Sequence, residues 1–188
     1  MKRAAALALT TIFVFAALSA VAAAQAPAAP KPAPELQKVQ YLAGNWTSVA
    51  TVKPSPYGPG GKFIATDHFE WMPGGFYLVN HSKGSGGGMG SITTLAIMGY
   101  DADEKVYTYD EYNSNGEVDH SKGTIAGDTW TWTNTSKMNG QTLRGRFTMK
   151  IVSPTVYTFT FEMAPAGADF ATVLEGKATK TTGAAKKK

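Results

Sequence analysis

The segment TWTWTNTSKMNGQTLRGRFTMKIVSPTVYTFTFEM, residues 129–163, decides the fold because its side chains alternate in character with a period of two. Trp130 and Trp132 alternate with threonines, and Tyr157 and Phe159 do the same further along. Successive side chains of a β-strand point to opposite faces of the sheet. The segment therefore predicts strands that have one aromatic face, directed inward, and one polar face, directed outward.

The same pattern extends over most of the chain, and short Gly, Pro, Asn and Asp clusters interrupt it. About ten strands fit it, near residues 45–53, 62–72, 75–82, 91–100, 105–112, 117–126, 128–135, 141–152, 155–163 and 169–179. Short connections favour antiparallel neighbours. We predict an all-β, antiparallel up-and-down barrel, since closure removes the exposed edges of a sheet. A β-sandwich is the alternative architecture.

The N-terminal residues predict an exported protein. Lys2 and Arg3 precede an apolar and small-residue stretch at 4–24, which is typical of a secretory signal peptide. Cleavage after Ala24 would leave Gln25 as the new N-terminus, in the periplasm or outside the cell. No later segment has the roughly 20 apolar residues of a membrane span, so none is expected in the mature form.

The rest of the chain suits a single domain. Removing residues 1–24 leaves 164 of the 188 residues. Residues 25–34 form a Pro/Ala-rich linker, and apolar residues at helical spacing predict a short helix over 35–42. The barrel domain is expected over 35–180, followed by a basic tail at 181–188.

Composition excludes several classes of function. The chain has no cysteine, which excludes disulfides and Cys-based zinc sites. Lys2, Arg3 and the three C-terminal lysines account for five of the 18 basic residues, which leaves 13 against 14 acidic ones. Because the body of the protein is nearly neutral, we expect no nucleic-acid partner.

Three motifs carry a resemblance to a known family. LAGNW at 42–46, PGGFYL at 73–78 and IMGYDADEKVYTYDEYNSNG at 97–116 resemble the bacterial family called domain of unknown function 1579. That family is similar to the calycins, the superfamily of lipocalins and fatty-acid-binding proteins. The resemblance covers roughly residues 35–180 and implies a lipocalin-like barrel, but no established activity.

The same resemblance assigns a role to Trp46. Gly44 and Trp46 match the Gly-x-Trp pattern of lipocalins, whose indole closes one end of the barrel. We therefore expect Trp46 to be buried beside the N-terminal helix. The arginine that partners this tryptophan in lipocalins has no counterpart in Arg144 or Arg146, since alternation turns both outward.

The inward aromatic residues suggest a binding site for a small apolar ligand. Pockets of this kind combine apolar walls with a few polar anchors. Glu111 falls on the same face as Tyr107 and Tyr109, and burial would raise its pKa. The predicted ligand-binding residues are Trp46, Tyr107, Tyr109, Glu111, Trp130, Trp132, Tyr157, Phe159 and Phe161. The same aromatics could instead fill a solid core.

Two further functions stay open at this point. One is a small-barrel enzyme of isomerase or hydrolase type that uses Glu111 with a tyrosine or a histidine. The other is an envelope or matrix interaction protein that uses the threonine-rich outer face. Fold analogy cannot choose among them. We assign no catalytic residue, no metal ligand and no cofactor from the sequence.

Glycines and histidines give two local predictions. The run GSGGGMG at 84–90 lacks the features of a P-loop, so we interpret it as a mobile hairpin loop. The segment HSKG occurs at 81–84 and again at 120–123, and we interpret its histidines as surface residues, with haem ligation as the alternative. Turn chemistry favours a three-residue loop that includes Pro73, which would place His68 and His81 on opposite faces, without a metal site. The alternative is a two-residue loop of Gly74 and Gly75, which would set His68 directly opposite His81, close enough to share a metal ion.

Overall fold

The computed structural model describes residues 29–55, 58–138 and 140–181. The chain divides into one unit at 1–31 and a second at 32–188. The predicted signal peptide lies outside the described residues, as does nearly all of the predicted basic tail. Among the described residues, no helix is long and apolar enough to cross a membrane.

Residues 36–181 form a short helical segment followed by ten strands. Helix α1, Leu36–Val39, continues into a 3₁₀ helix, Gln40–Leu42, so the predicted short helix is confirmed. The strands are β1 Gly44–Val52, β2 Gly61–Trp71, β3 Leu78–Gly86, β4 Ser91–Asp101, β5 Val106–Asn113, β6 Val118–Ala126, β7 Thr129–Met138, β8 Gln141–Ser153, β9 Val156–Pro165 and β10 Ala171–Thr181.

The ten strands close into one antiparallel barrel. Each strand pairs with the next along the chain, and β1 completes the ring by pairing with β10. The predicted fold class is therefore confirmed. Register joins the aromatic face across strands, with Trp132 opposite Phe147 and Phe147 opposite Phe161. The predicted inward direction of the late aromatic residues follows from this pairing and from the burial of Trp130 and Tyr157.

The helical segment lies at the end of the barrel where β1 begins, which we call the capped end. Leu36, Val39 and Leu42 are buried there. Trp46 is only 1% exposed, and its indole N–H donates to the carbonyl of Leu42 at 2.7 Å. The predicted burial of Trp46 beside the helix is confirmed, because β1 starts directly after the segment that covers it.

A lysine partners Trp46 at this end. Lys180 lies opposite Trp46 in the β1–β10 pair, with its ammonium nitrogen 5.3 Å from the indole ring centre. It also donates to the carbonyl of Tyr41 at 3.1 Å. Lys180 is thus the basic side chain beside Trp46, while Arg144 and Arg146 lie on the outer face as alternation predicted. A cation above a tryptophan face is attracted by the ring quadrupole.

The β2–β3 hairpin corrects one prediction. Four residues, 73–76, separate Met72 from Tyr77, and the N–H of Met72 donates to the carbonyl of Tyr77 at 2.9 Å. Pro73 and Gly74, whose φ is positive at 96°, fit the two central positions of a type II turn. The connection at 73–76 is therefore one residue longer than the predicted three-residue loop. His68 therefore lies directly opposite His81, so the prediction of opposite faces was wrong. Both histidines are exposed on the outer face.

The third strand extends further than predicted. It was expected over 75–82, but it begins at Leu78 and continues through Gly86, so the first three of the seven residues of the predicted glycine loop are strand. A side chain at Gly84 would collide with the ring of Phe63, which occupies that space inside the barrel. Glycine is depleted in strands in general, but here it makes room for an aromatic ring on the neighbouring strand.

Candidate functional site

The nine predicted site residues all occupy inward positions, but they form two groups. Trp46, Tyr107, Trp130 and Tyr157 are buried and pack toward the capped end. The Tyr107 hydroxyl donates to the carbonyl of Glu35 at 3.0 Å, and the rings of Trp46 and Tyr157 lie 4.9 Å apart. This group holds the cap in place. The second group, Tyr109, Glu111, Trp132, Phe159 and Phe161, lies further from the cap.

Polar residues that the sequence interpretation missed lie among the second group. Strand pairing sets Asn80 opposite Ala96, Ala96 opposite Glu111, and Glu111 opposite Asp119. Ala96 is fully buried and small, which leaves room above it for the longer side chains on either side. Asp67 joins them from β2, because the Asn80 amide N–H donates to its carboxyl at 3.2 Å. We call Asp67, Asn80, Tyr109, Glu111 and Asp119 the polar cluster.

Hydrogen bonds tie this cluster together. The Tyr109 hydroxyl donates to Glu111, and Asn80 also bonds to Tyr109. Ser121 donates to the Asp119 carboxyl at 2.6 Å, and the amide of Asn134 donates to the same carboxyl. The cluster therefore spans four strands along one side of the wall, β2, β3, β5 and β6, on the inward face.

The interior alters the acid–base properties of this cluster. Burial raises the pKa of Glu111, and the nearby carboxyl of Asp119 raises it further, while the hydrogen bond from Tyr109 partly opposes the rise. Burial raises the pKa of Tyr109 well above its ordinary value, with Glu111 and Asp67 adding to the effect. Each shift has the same origin: charge is unfavourable in this enclosed space.

Several polar atoms inside the barrel have no partner among the described residues. These are Asn80 Oδ1, Asn134 Oδ1 and the indole N–H groups of Trp130 and Trp132. An unsatisfied buried polar group costs about 1–3 kcal/mol. An ordered water or a ligand can supply the missing hydrogen bonds of such groups.

Inward side chains around the cluster are not fully buried. Tyr109, Glu111 and Asp119 are half-buried although they point inward, and Phe147 and Phe161 across the barrel are half-buried as well. This accessible surface beside the polar atoms is what a bound molecule could cover.

The histidines lie outside this site. His68, His81 and His120 are exposed on outward positions, and His120 pairs with Asp110 at 2.7 Å. No group of three or more His, Asp or Glu side chains in the described part of the chain is arranged to hold a metal ion. Of the partners suggested for Glu111 in an enzyme, Tyr109 is within hydrogen-bonding reach and the histidines are not.

Comparison with known proteins gives a family and a fold. A family model described as "Protein of unknown function (DUF1579)" matches residues 31–180. No curated protein matches the chain. The crystal structure of Rv2717c from M. tuberculosis is 12% identical, with a TM-score of 0.56 over 81% of this chain and 100% of that one.

Two other solved structures are similar. The S-type phycobiliprotein lyase CPES from Guillardia theta is 9% identical, with a TM-score of 0.50 over 79% of this chain and 93% of that one. A structure of EF1p2_mFAP2b bound to DFHBI is 13% identical, with a TM-score of 0.43 over 78% of this chain and 98% of that one. At these identities, similarity concerns the fold and not the function.

Proposed function

The chain belongs to the DUF1579 family of proteins of unknown function, and we propose that its barrel binds a small ligand with a largely apolar body, outside the cytoplasm. One observation carries this proposal: the polar cluster lies among aromatic rings on the inward face of the barrel, and polar atoms beside it lack partners among the described residues. Small-molecule sites typically combine apolar walls with a few convergent polar groups in this way.

The aromatic wall suits the apolar body of such a ligand. Trp132 lies 6.4 Å from both Tyr109 and Phe147, centre to centre, and Phe147 stacks on Phe159 at 5.7 Å. Large aromatic side chains supply much contact area and prefer tilted or offset neighbours. A planar or ring-containing ligand could therefore make both tilted and stacked contacts with these rings.

Ligand binding is tested with a blocking substitution and a matched control. Ser82 points inward opposite Asp67, while its neighbour Lys83 is exposed on the outer face. We expect N-phenyl-1-naphthylamine, a neutral dye, to brighten with the native protein and with Lys83→Phe. Ser82→Phe, which places a ring inside the pocket, should weaken dye binding by about tenfold or more. Equal binding by the two variants, or none by the native protein, would contradict an interior site.

Native mass spectrometry gives a second readout. Protein purified from its source should carry added mass that mild activation removes. The same measurement on the Ser82→Phe protein, expressed in the same host, should show the bare chain. Retention of the added mass by this variant would place the bound molecule outside the barrel interior.

The extracytoplasmic location rests on residues 1–24, with their basic start and apolar core. N-terminal sequencing of the exported protein should begin at Gln25 or close to it. An intact Met1 on protein recovered outside the cytoplasm would overturn this part of the proposal.

A second candidate function is proton transfer to a bound substrate. The observation in its favour is the hydrogen bond that Tyr109 gives to Glu111 on the inward face. Burial raises the pKa of the Glu111 carboxyl, which makes it a better proton acceptor than an exposed glutamate. Exchange of deuterium from solvent into the co-purified molecule, lost in Glu111→Gln, would support catalysis over binding alone.

A further inference from the structure

We propose that the ligand carries a cationic nitrogen, a protonated amine or amidine, held by the carboxyl groups of Asp67, Glu111 and Asp119 inside the barrel. The preferred class is then an amphipathic cation, with its charged group at the polar cluster and its apolar body against the aromatic wall. This inference rests on the proposed function and narrows it.

The three carboxyl groups lie on inward positions of three different strands. Glu111 on β5 pairs directly with Asp119 on β6, and Asp67 on β2 reaches the same region through the amide of Asn80. Asp119 and Asp67 both act electrostatically on Glu111. Its acidic neighbours disfavour the charged form of Glu111, and a cation beside this carboxyl would favour it.

No basic side chain among the described residues forms an ion pair with these acids. The one on an inward position, Lys180, lies at the capped end, bonded to the carbonyl of Tyr41. Arg144 and Arg146 face outward, and Arg146 pairs with Glu162 at 2.7 Å. Buried charges in proteins are normally paired. The missing positive charge is the one that the ligand would bring.

A second observation points to a donor-bearing ligand independently of the acids. Asn80 is only 5% exposed, and its Oδ1 atom has no hydrogen-bond partner among the described residues. The amide N–H of Asn80 already donates to Asp67, so Oδ1 remains as a free acceptor beside that carboxyl group. An ammonium or amidinium N–H satisfies this acceptor and the carboxyl groups at once.

The neighbouring tryptophan fits the same ligand class. Trp132 is 6% exposed and lies against Tyr109 at the level of the cluster. A side chain at Gly123 would come within 2.5 Å of its indole nitrogen, so the glycine allows the indole to lie flat against β6. Aromatic faces next to an enclosed cation add cation–π attraction.

The test titrates three probes into the full chain at pH 7. All three share the same naphthyl group and differ only in the polar group: 1-naphthylmethylamine, 1-naphthylmethanol and 1-naphthoate. We expect the amine to bind at least about tenfold more tightly than the alcohol, and the carboxylate to bind most weakly. Binding of the alcohol or the carboxylate as tightly as the amine would overturn the cation assignment alone. Absence of binding by all three probes would overturn the proposed function with it.

Substitutions that keep size but remove charge locate the effect. Glu111→Gln and Asp67→Asn should each weaken amine binding by about tenfold and leave alcohol binding within about twofold. Asp110→Asn is the matched control, because Asp110 lies next to Glu111 on β5 but faces outward beside His120. Two interior variants are used so that a folding defect in one does not decide the result. Unchanged amine affinity in both would refute the proposal.

Discussion

Glu111 occupies an inward position on β5 that is surrounded by other acidic and phenolic groups. Asp119 faces it from β6, Asp67 from β2 and Glu117 from the turn before β6, while Tyr109 on its own strand donates a hydrogen bond to it. Burial is the largest cause of its raised pKa, and the nearby carboxyls follow. In the unfolded chain the same carboxyl has an ordinary pKa of about 4.3.

This difference predicts a specific pH dependence of stability. Between the unfolded and the raised folded pKa, the native state binds more protons than the unfolded state, so the free energy of unfolding falls as pH rises. The penalty is absent below about pH 4 and complete above the folded pKa of Glu111. Glu111→Gln cannot ionise, so it should gain stability relative to the native protein between pH 4 and pH 8, as measured by urea unfolding.

The control for this prediction is Asp103→Asn. Asp103 is exposed in the turn between β4 and β5, far from the polar cluster. Its substitution should leave the shape of the stability profile unchanged. A stability difference between the native protein and Glu111→Gln that stays constant with pH would show that the carboxyl of Glu111 does not titrate differently in the folded state.

Part of the site was predictable from single residues and part was not. Alternation placed Glu111 with Tyr109 because aromatic neighbours mark the inward face. It could also have placed Asn134, which shares its face with Trp130 and Trp132. Asp67 was harder, because β2 has apolar residues on both faces, and Asn80 depends on the hairpin register. Polar residues on an inward face weaken the alternation on which the prediction relies.

At the scale of elements, the capped end depends on contacts between the 3₁₀ helix, β1 and β10. Lys180 at the end of β10 contacts both partners: its ammonium group bonds to the Tyr41 carbonyl and lies over the Trp46 ring. The C-terminal carbonyls of a helical segment lack internal partners and favour a nearby cation. Lys180 therefore links the β1–β10 pair, which closes the barrel, to the 3₁₀ helix at the capped end.

Removal of this ammonium group should loosen the cap. Lys180→Met keeps the aliphatic stem over Trp46 but loses the charge, and we expect it to destabilise the protein by about 1–2 kcal/mol. Lys180→Arg should retain most of the stability, since a guanidinium group can make both contacts. Lys177→Met on the outward face of the same strand serves as the control, with an expected change below about 0.5 kcal/mol. Urea midpoints measure all three variants, and equal midpoints for Lys180→Met and Lys177→Met would contradict this role.

Strand count and topology were predictable at this scale, whereas one hairpin register was not. Nine strands lie within a few residues of their predicted positions because short turns bound them. The β2–β3 turn differs because Gly74 and Gly75 both adopt positive φ, which adds a residue to the loop. Both loop lengths are compatible with Pro73, so turn chemistry alone did not distinguish them.

The whole molecule combines a strongly packed end with a polar interior. Near the cap, buried rings and the helical segment fill the barrel, while further from it the carboxyl groups and the unpartnered oxygens of Asn80 and Asn134 interrupt the apolar core. Buried polar groups without partners reduce stability. The packing at the capped end maintains the fold, and the polar groups further along the barrel are the part available to a ligand.

This separation predicts how the molecule responds to shortening from its N-terminus. Residues 32–188 form a compact unit of their own, and the described contacts of the cap lie within it. A chain that begins at Pro32 should therefore melt within about 2 °C of the full chain. A chain that begins at Gly44 loses the buried Leu36, Val39 and Leu42. Each large apolar side chain lost from a core costs about 2–5 kcal/mol, and 1 kcal/mol corresponds to about 2–4 °C in a domain of this size. The shorter chain should therefore melt at least about 10 °C lower, or fail to fold, in a calorimetric scan. Equal melting temperatures for the two shortened chains would show that the cap does not stabilise the barrel, and a large loss in the chain from Pro32 would show that residues before it do.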